Sequence, residues 1–432
     1  MSPGPVRVQA AGLEARVEIT GTLLDAQTAA CPFAHYDELR EKAPVYLMPE
    51  TGFYLITRYD DLRDIVADPQ TFSNSIEMHA QAGERTSDGR NLGEVYAERL
   101  AEVGWGRVRT LHRTDAPEHT RYRRLMNRAL APGMVRRMMP DVERIASELV
   151  DGFADRGSCE FIGEFAFPLP GQVIAHLIGM DDADITTFKR WADAMLAPAQ
   201  GLLVDEESAR HFAEVEAEAQ HHMAAVFEER RRSPGDDLMS AMIAPPDDGD
   251  EPFTMHELMD LMNQLITGGY TTTADAIGNG MLLLLENPNQ MALLRSDPSL
   301  LQNFAHEVMR HSTSVQGLFR RTTRDVTLGG VDIPKDSILH IRYGAANRDP
   351  EMFPEPEAFD ITRENASKNL AFSRGPHFCV GQPLAIQELI VGFGAVLDRL
   401  DDISLAADFV PQRAPGFFLY SLTSLPITFR KS

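Results

Sequence analysis

The chain has 432 residues, enough for a large core, and a formal net charge of −23. So acidic a balance argues against nucleic acid as a partner and favours solubility. No apolar run is long enough to cross a bilayer, and the stretch from Met1 to Thr20 lacks the apolar core of a secretion signal. Cys31, Cys159 and Cys379 neither form a paired framework nor show zinc-site spacing. A single continuous domain, residues 1-432, in a reducing cytoplasm with no membrane is the expectation.

In chain order, Val45 to Met48 and Phe53 to Thr57 flank Pro49-Glu50-Thr51-Gly52, a hairpin pattern. From about Glu118 to Met180 the pattern is mostly helical, interrupted by Phe167-Pro168-Leu169-Pro170. Within it His119 and Arg123 are spaced i, i+4 and can point the same way. Arg121, Arg123, Arg124, Arg128, Arg136 and Arg137 make a basic cluster on an otherwise acidic protein. Such a cluster is either a solvated helix face or a dock for an acidic electron-transfer protein. Helices are expected from about Asp184 to Ala197 and from Asp205 to Arg232. Ala244 to Pro252 reads as an exposed loop between helices.

Thr254, with Glu257 three residues on, forms a capping box that opens a helix reaching about Glu286. At 1.5 Å per residue it spans roughly 50 Å, so it must pass through the centre of the molecule. Gly268-Gly269-Tyr270-Thr271-Thr272-Thr273, in its middle, are poor or mediocre helix formers. They mark either close helix packing or a functional bend, since threonine hydroxyls can bond the preceding turn. Asp275 lies one turn beyond Thr271. Glu307 and Arg310 put opposite charges on adjacent turns, a pair that on its own is common surface decoration. Beyond them Val326 to Leu328 and Val331 to Ile333 form a tight hairpin around Gly329-Gly330, and Ser337 to Ile341 is a further strand. Helix returns after Cys379 and ends near Leu400; Pro415 to Phe418 and Leu425 to Ile427 read as a final hairpin. The fold class is mainly α with a small β portion, at about 44-57 and 315-345.

Cys379 stands in Phe372-Ser373-Arg374-Gly375-Pro376-His377-Phe378-Cys379-Val380-Gly381, just before that last helix. Glycines at 375 and 381 let the backbone turn tightly and approach a flat cofactor. By residue type alone a lone cysteine is a small buried hydrophobe. As an iron ligand it would be a thiolate, which pushes electron density onto the metal and favours O–O cleavage.

The pattern F-x-x-G-x-x-x-C-x-G strongly resembles the heme-binding loop of the cytochrome P-450 superfamily. Ser373 replaces a usual glycine and Ile386 a frequent arginine. Gly268-Gly269-Tyr270-Thr271-Thr272-Thr273 resembles the family's oxygen groove, with Thr271 where an acid is usual. The resemblance runs from about Pro44 to the C-terminus. It implies a P-450 fold with heme b (iron protoporphyrin IX) between the long central helix and the cysteine-loop helix. Cys379 would be the metal ligand, with Phe372, Gly381 and Gly269 against the cofactor, and His119, Arg123, Arg320 and His377 (Arg321 as a substitute for Arg320) on its propionates. Thr272 would deliver protons during oxygen activation, with Thr271 and Asp275 in the relay. Glu307, Arg310 and Arg363 would lock the fold, with Ala346-Asn347-Arg348-Asp349-Pro350 as a further matching string. The family's pocket regions fall on Asn91 to Arg109, including Trp105, on Met195 to Val204, and on Leu265, Gly268, Val315, Leu318, Phe417 and Phe418.

The resemblance implies a monooxygenase that inserts one oxygen atom from dioxygen into a small hydrophobic substrate, by hydroxylation or oxidative demethylation. No G-x-G-x-x-G follows a strand, so electrons are expected from a separate ferredoxin and ferredoxin reductase, docking at Arg121, Arg124 and Arg128. The missing acid at Thr271 leaves open peroxide-driven or non-oxygenating heme chemistry. A heme-binding sensor or carrier is the non-enzymatic alternative.

Overall fold

The computed structural model describes residues 19–76, 89–180, 185–244 and 251–432. The expected loop at Pro245 to Asp250, most of the stretch from Met1 to Thr20, and Asp184 lie outside the described residues. The first helices are α1 (Ala26–Ala30) and α2 (Phe33–Lys42), followed by β1 (Val45–Leu47), β2 (Tyr54–Ile56), α3 (Tyr59–Ala67) and β3 (Phe72–Ser73). Then come α4 (Leu92–Val103), α5 (Glu118–Ala129), α6 (Pro132–Ala154), β4 (Ser158–Glu160), α7 (Pro168–Leu177), α8 (Ile185–Leu196), α9 (Glu206–Arg232) and α10 (Leu238–Ile243). The central helix is α11 (Met255–Glu286), followed by α12 (Pro288–Ser296) and α13 (Leu301–His311). The β portion holds β5 (Leu318–Thr322), β6 (Val326–Leu328), β7 (Val331–Ile333) and β8 (Ile338–Ile341). The chain ends through α14 (Tyr343–Ala346), α15 (Gln382–Arg399), β9 (Leu400–Leu405) and β10 (Pro426–Lys431). The protein is mainly helical with small sheets, as the sequence leads one to expect.

Helix α11 starts where its capping box places it: Thr254 Oγ1 accepts from Glu257 N and the Glu257 carboxylate accepts from Thr254 N. Its C-terminal half is buried nearly all round, from Thr273 to Leu284. That half sits in the main core, which also takes apolar residues of α6, α7, α13 and α15. Pro168 opens α7 at a position where its missing N–H loses no helical bond.

The larger sheet runs β1-β2-β8-β5-β3, with β2 and β8 parallel and the other neighbours antiparallel. The β6–β7 hairpin forms as expected. The tail differs from its expectation. Leu425 to Ile427 does not fold back on Pro415 to Phe418. Instead Ile427 pairs with Leu405 of β9 and Cys159 of β4. Between Arg413 and Leu422 only an isolated bridge remains. Partners that far away in sequence leave no local pattern, and burial of Ile427 in the core decides the register. Among the described residues no helix is long and apolar enough to cross a membrane.

Candidate heme site

The loop before α15 is fixed by backbone geometry. Cys379 N donates to Phe372 O at 2.9 Å. Gly375 has φ +69°, and a Cβ there would lie 2.5 Å from Val66 O, so glycine is obligatory. Ser373 also has a left-handed φ, 58°, without being glycine, and its buried Oγ has no hydrogen-bond partner. This is the cost of the departure seen in sequence, about 1–2 kcal/mol for a side chain in that region.

Burial pushes the Cys379 thiol up, while the N–H groups of Gly381 and Gln382 and the Arg123 cation pull it down. Those N–H groups open α15, whose dipole also favours negative charge on sulfur. A Cβ on Gly381 would lie 3.9 Å from Cys379 Sγ, so this position stays slim beside the sulfur. Phe372 lines a cavity of about 590 Å³ beside the loop, together with Phe378, Gln382 and Arg374.

Around the loop stands a group of cations and imidazoles. His119 is buried and its Nε2 has no hydrogen-bond partner. Its ring centroid is 4.0 Å from that of His377. Arg123 donates to Phe378 O. Arg320 is 3 % exposed and donates to Phe319 O at 2.7 Å. Burial pushes His377 down to about 3, helped by His119, Arg320, Arg123 and His112. The nearest carboxylate ion-paired with this group is Asp115, 4.0 Å from His377. A buried arginine and an orphaned imidazole nitrogen gathered with so little negative charge fit an anionic group such as a pair of propionates. Arg321 cannot replace Arg320: alternation along β5 turns it outward, where it pairs with Asp336 at 2.5 Å.

The middle of α11 offers an accessible face. Leu265, Gly268 and Thr272 are partly or fully exposed there, before the buried C-terminal half of the helix. A Cβ on Gly268 would meet nothing within 4 Å, whereas one on Gly269 would strike Ile174 Cδ1 at 2.9 Å. A side chain at Gly269 would therefore run into the core, so only its backbone can approach a cofactor. Thr272 Oγ1 donates to Gly268 O at 2.6 Å, the back-bond that loosens a helix. Thr271 is buried on a different side from Thr272. Asp275 is also buried, accepts from Ser421 Oγ at 2.8 Å, and is pushed up to about 7 by burial. The structure brings Asp275 to the C-terminal segment beside Arg413, and no described bond joins it to Thr272.

The remaining expected residues divide. Leu318 is 44 % exposed, and Val315 bridges Leu419. Phe417 and Phe418 pack with His340, at 4.7 and 5.8 Å between centroids, and Phe417 lies under Arg342. Glu307 accepts from Arg310 at 2.7 Å and from Arg363 at 3.1 Å. Arg310 also donates to Asn347 O, Pro356 O and Ala358 O, tying the segment before the cysteine loop to α13. Arg121 pairs with Glu257 at 2.6 Å and Arg128 donates to Ala244 O at 3.0 Å, so both serve to hold helices together.

The chain matches the Cytochrome P450 family over residues 101–403. It is a cytochrome P450. It is 35 % identical over 383 residues to the 6-deoxyerythronolide B hydroxylase of Saccharopolyspora erythraea, covering 86 % of this chain and 89 % of that one. It is 32 % identical over 412 residues to the cytochrome P450 monooxygenase PikC of Streptomyces venezuelae, covering 93 % and 92 %. The crystal structure of CYP109E1 from Bacillus megaterium in complex with corticosterone is similar with a TM-score of 0.78 at 26 % identity, covering 93 % of this chain and 99 % of that one. The P450 is a heme b monooxygenase, an oxidoreductase.

Sequence reasoning missed one buried ion pair of the P450. Glu216 of α9 is fully buried with Arg107 on it at 2.7 Å. The signal was present: Glu216 falls on the stripe of Ala209, Ala213, Gln220 and Met223, all buried at helical spacing.

Proposed function

We propose that this P450 hydroxylates or oxidatively demethylates a hydrophobic, steroid-like small molecule, with electrons from a separate ferredoxin system in the cytoplasm. The observation that carries this reading is the presence in one chain of two unlike surfaces: a thiol at the head of α15 with Arg123, His119 and His377 gathered at its loop, and an accessible face in the middle of α11 bearing Gly268 and Thr272. Cys379 would hold the heme iron, which supplies the oxidising chemistry when bound. His119, Arg123, Arg320 and His377 would hold its propionates. Thr272, whose hydroxyl rests on Gly268 O, would turn from that bond to hold a proton over the cleft. Apolar Leu265 and Leu318 would orient the substrate and exclude water. A relative named for hydroxylating 6-deoxyerythronolide B and one that binds corticosterone support a bulky apolar substrate.

The proton supply is proposed to draw on Asp275, the buried acid of the same helix, held about half protonated near neutrality. Of the three arginines expected at the ferredoxin dock, Arg121 pairs with Glu257, Arg128 donates to Ala244 O, and Arg124 lies at an exposed position of α5. A spin-state screen with steroids, terpenoids and small aromatics tests the substrate class: a binder displaces axial water and shifts the spectrum. Thr272→Ala then tests the mechanism, with most reducing equivalents appearing as peroxide while heme binding persists. Unchanged coupling of electrons to product removes Thr272 from it. Because Thr271 replaces an acid, turnover with hydrogen peroxide should be compared with turnover on ferredoxin and NAD(P)H; faster peroxide turnover favours the peroxide-driven reading.

A further inference from the structure

Residues 104–113 cross from α4 to the short turn before α5 as a strap, and two buried acids hold the strap down. Glu216 of α9 accepts from Tyr96 of α4, from Arg107 of the strap at 2.7 Å, and from Asn263 of α11 at 3.5 Å. Gln220, one turn on, closes a two-way bond with the Trp105 backbone, accepting from its N at 2.7 Å and donating to its O at 3.1 Å. Gly104 allows that approach, since a Cβ there would stand 2.4 Å from Gln220 Oε1. Asp260 of α11 accepts from Thr110 Oγ1 at 2.6 Å and from Arg113 at 3.0 Å. Glu216 is fully buried and Asp260 is 2 % exposed, while the Arg107 side chain keeps 22 % of its surface in water. Each acid therefore remains in the body of the protein, and the strap supplies the donors that can leave.

We propose that Glu216 and Asp260 latch the 104–113 strap across α11, one to two turns before its accessible face, and that Glu216 is a positioning residue setting how fast bulky molecules enter and leave the cleft. The proposal rests on that face belonging to the heme cleft. Burying an acid without donors is costly, so closure is strongly favoured once Tyr96 and Arg107 engage. Opening exchanges a few bonds for water at one end of the strap and leaves the core of α9 and α11 in place. His112, at the strap's far end, donates its backbone N–H to Gln264 Oε1 of α11 at 3.3 Å, so the strap is tied to α11 at that end as well.

The test uses the heme-loaded full chain and the variant Glu216→Leu, which removes every acceptor atom at similar volume. Amide hydrogen exchange in 104–113 should quicken about 10- to 100-fold, with α13 and α15 changing less than about twofold. A bulky aryl-imidazole, whose nitrogen ligates heme iron, should associate and dissociate about tenfold faster, while carbon monoxide association changes less than about twofold. Glu214→Leu on the same helix, which removes an exposed pair with Arg99, should leave strap exchange and both probes as they are. Tyr96→Phe removes one donor and should give the same pattern at smaller amplitude, which decides the matter if Glu216→Leu does not fold. Exchange that quickens equally throughout the chain, or a strap unaffected in both variants, overturns the latch. A wild-type spectrum without thiolate ligation would remove the heme-cleft reading alone, because the exchange pattern is read independently of it.

Discussion

Glu307 and Glu216 are both fully buried glutamates that meet an arginine, one on the cysteine-loop side and the other on the lid side. Glu307 meets Arg310 on its own helix and Arg363 from the segment leading to the loop, and Arg310 is itself fully buried. Arg310 goes on to hold three backbone carbonyls, so the Glu307–Arg310 pair cannot reach water without unfolding. Glu216 meets an arginine whose outer end already touches solvent. The same chemistry gives a rivet in one place and a latch in the other, and the difference lies in which partner can leave. Glu388 of α15 extends the comparison: it is 2 % exposed and its Oε2 has no hydrogen-bond partner.

Breaking the rivet should have the largest effect. Glu307→Ala leaves two arginines without their buried counter-charge and should lower stability by about 3–5 kcal/mol, read as a fall in the urea midpoint and loss of bound heme. Replacing Glu307 and Arg310 together by leucine and methionine should recover part of it, because Arg310 no longer stays buried without its counter-charge.

Glu388 gives the next effect, through pH. Burial pushes it from 4.5 up to about 8. Above 4.5 the unfolded chain has released this proton while the folded chain keeps it, so stability falls as pH rises from about 4.5 to 8 and is flat beyond. Glu388→Gln should remove that slope and be more stable than wild type at pH 8.5, by of order 3 kcal/mol. Equal slopes in the two proteins would show that Glu388 has partners in solution.

The cation group at the cysteine loop should show its effect on heme retention. Arg320→Ala should leave the folded chain intact and raise the heme dissociation rate about 10- to 100-fold, as for one charge-assisted bond. Arg321→Ala, on the outward side of the same strand, should change it less than about twofold. The smallest effect is expected at Ser373→Gly, which relieves the left-handed φ of 58° and should stabilise the fold by about 1 kcal/mol, read as a higher unfolding midpoint.

What the sequence made legible was local. The Thr254–Glu257 cap, the glycines around Cys379 and the weak helix formers at 268–273 each state a backbone requirement within a few residues, and the structure shows α11 and the loop where those signals put them. Roles that depend on direction were not legible. Gly268 and Gly269 are adjacent, yet one faces accessible space and the other Ile174. Asp275 shares a face with Thr271 by spacing, but Ser421, far along the chain, takes its carboxylate. Glu216 and Arg107 meet only because α4, the strap and α9 pack together. Ser373 announced itself as an odd residue in the loop, and only the backbone angle shows what the substitution costs.

The measurement that bears most directly on the whole account is the absorption spectrum of the heme-loaded ferrous protein under carbon monoxide, taken for wild type and for Cys379→His. Wild type should show its Soret band at the long-wavelength position of thiolate-ligated heme, and the variant should move to the position of histidine-ligated globins. A wild-type band already at the globin position would contradict ligation by Cys379 and with it the site described above.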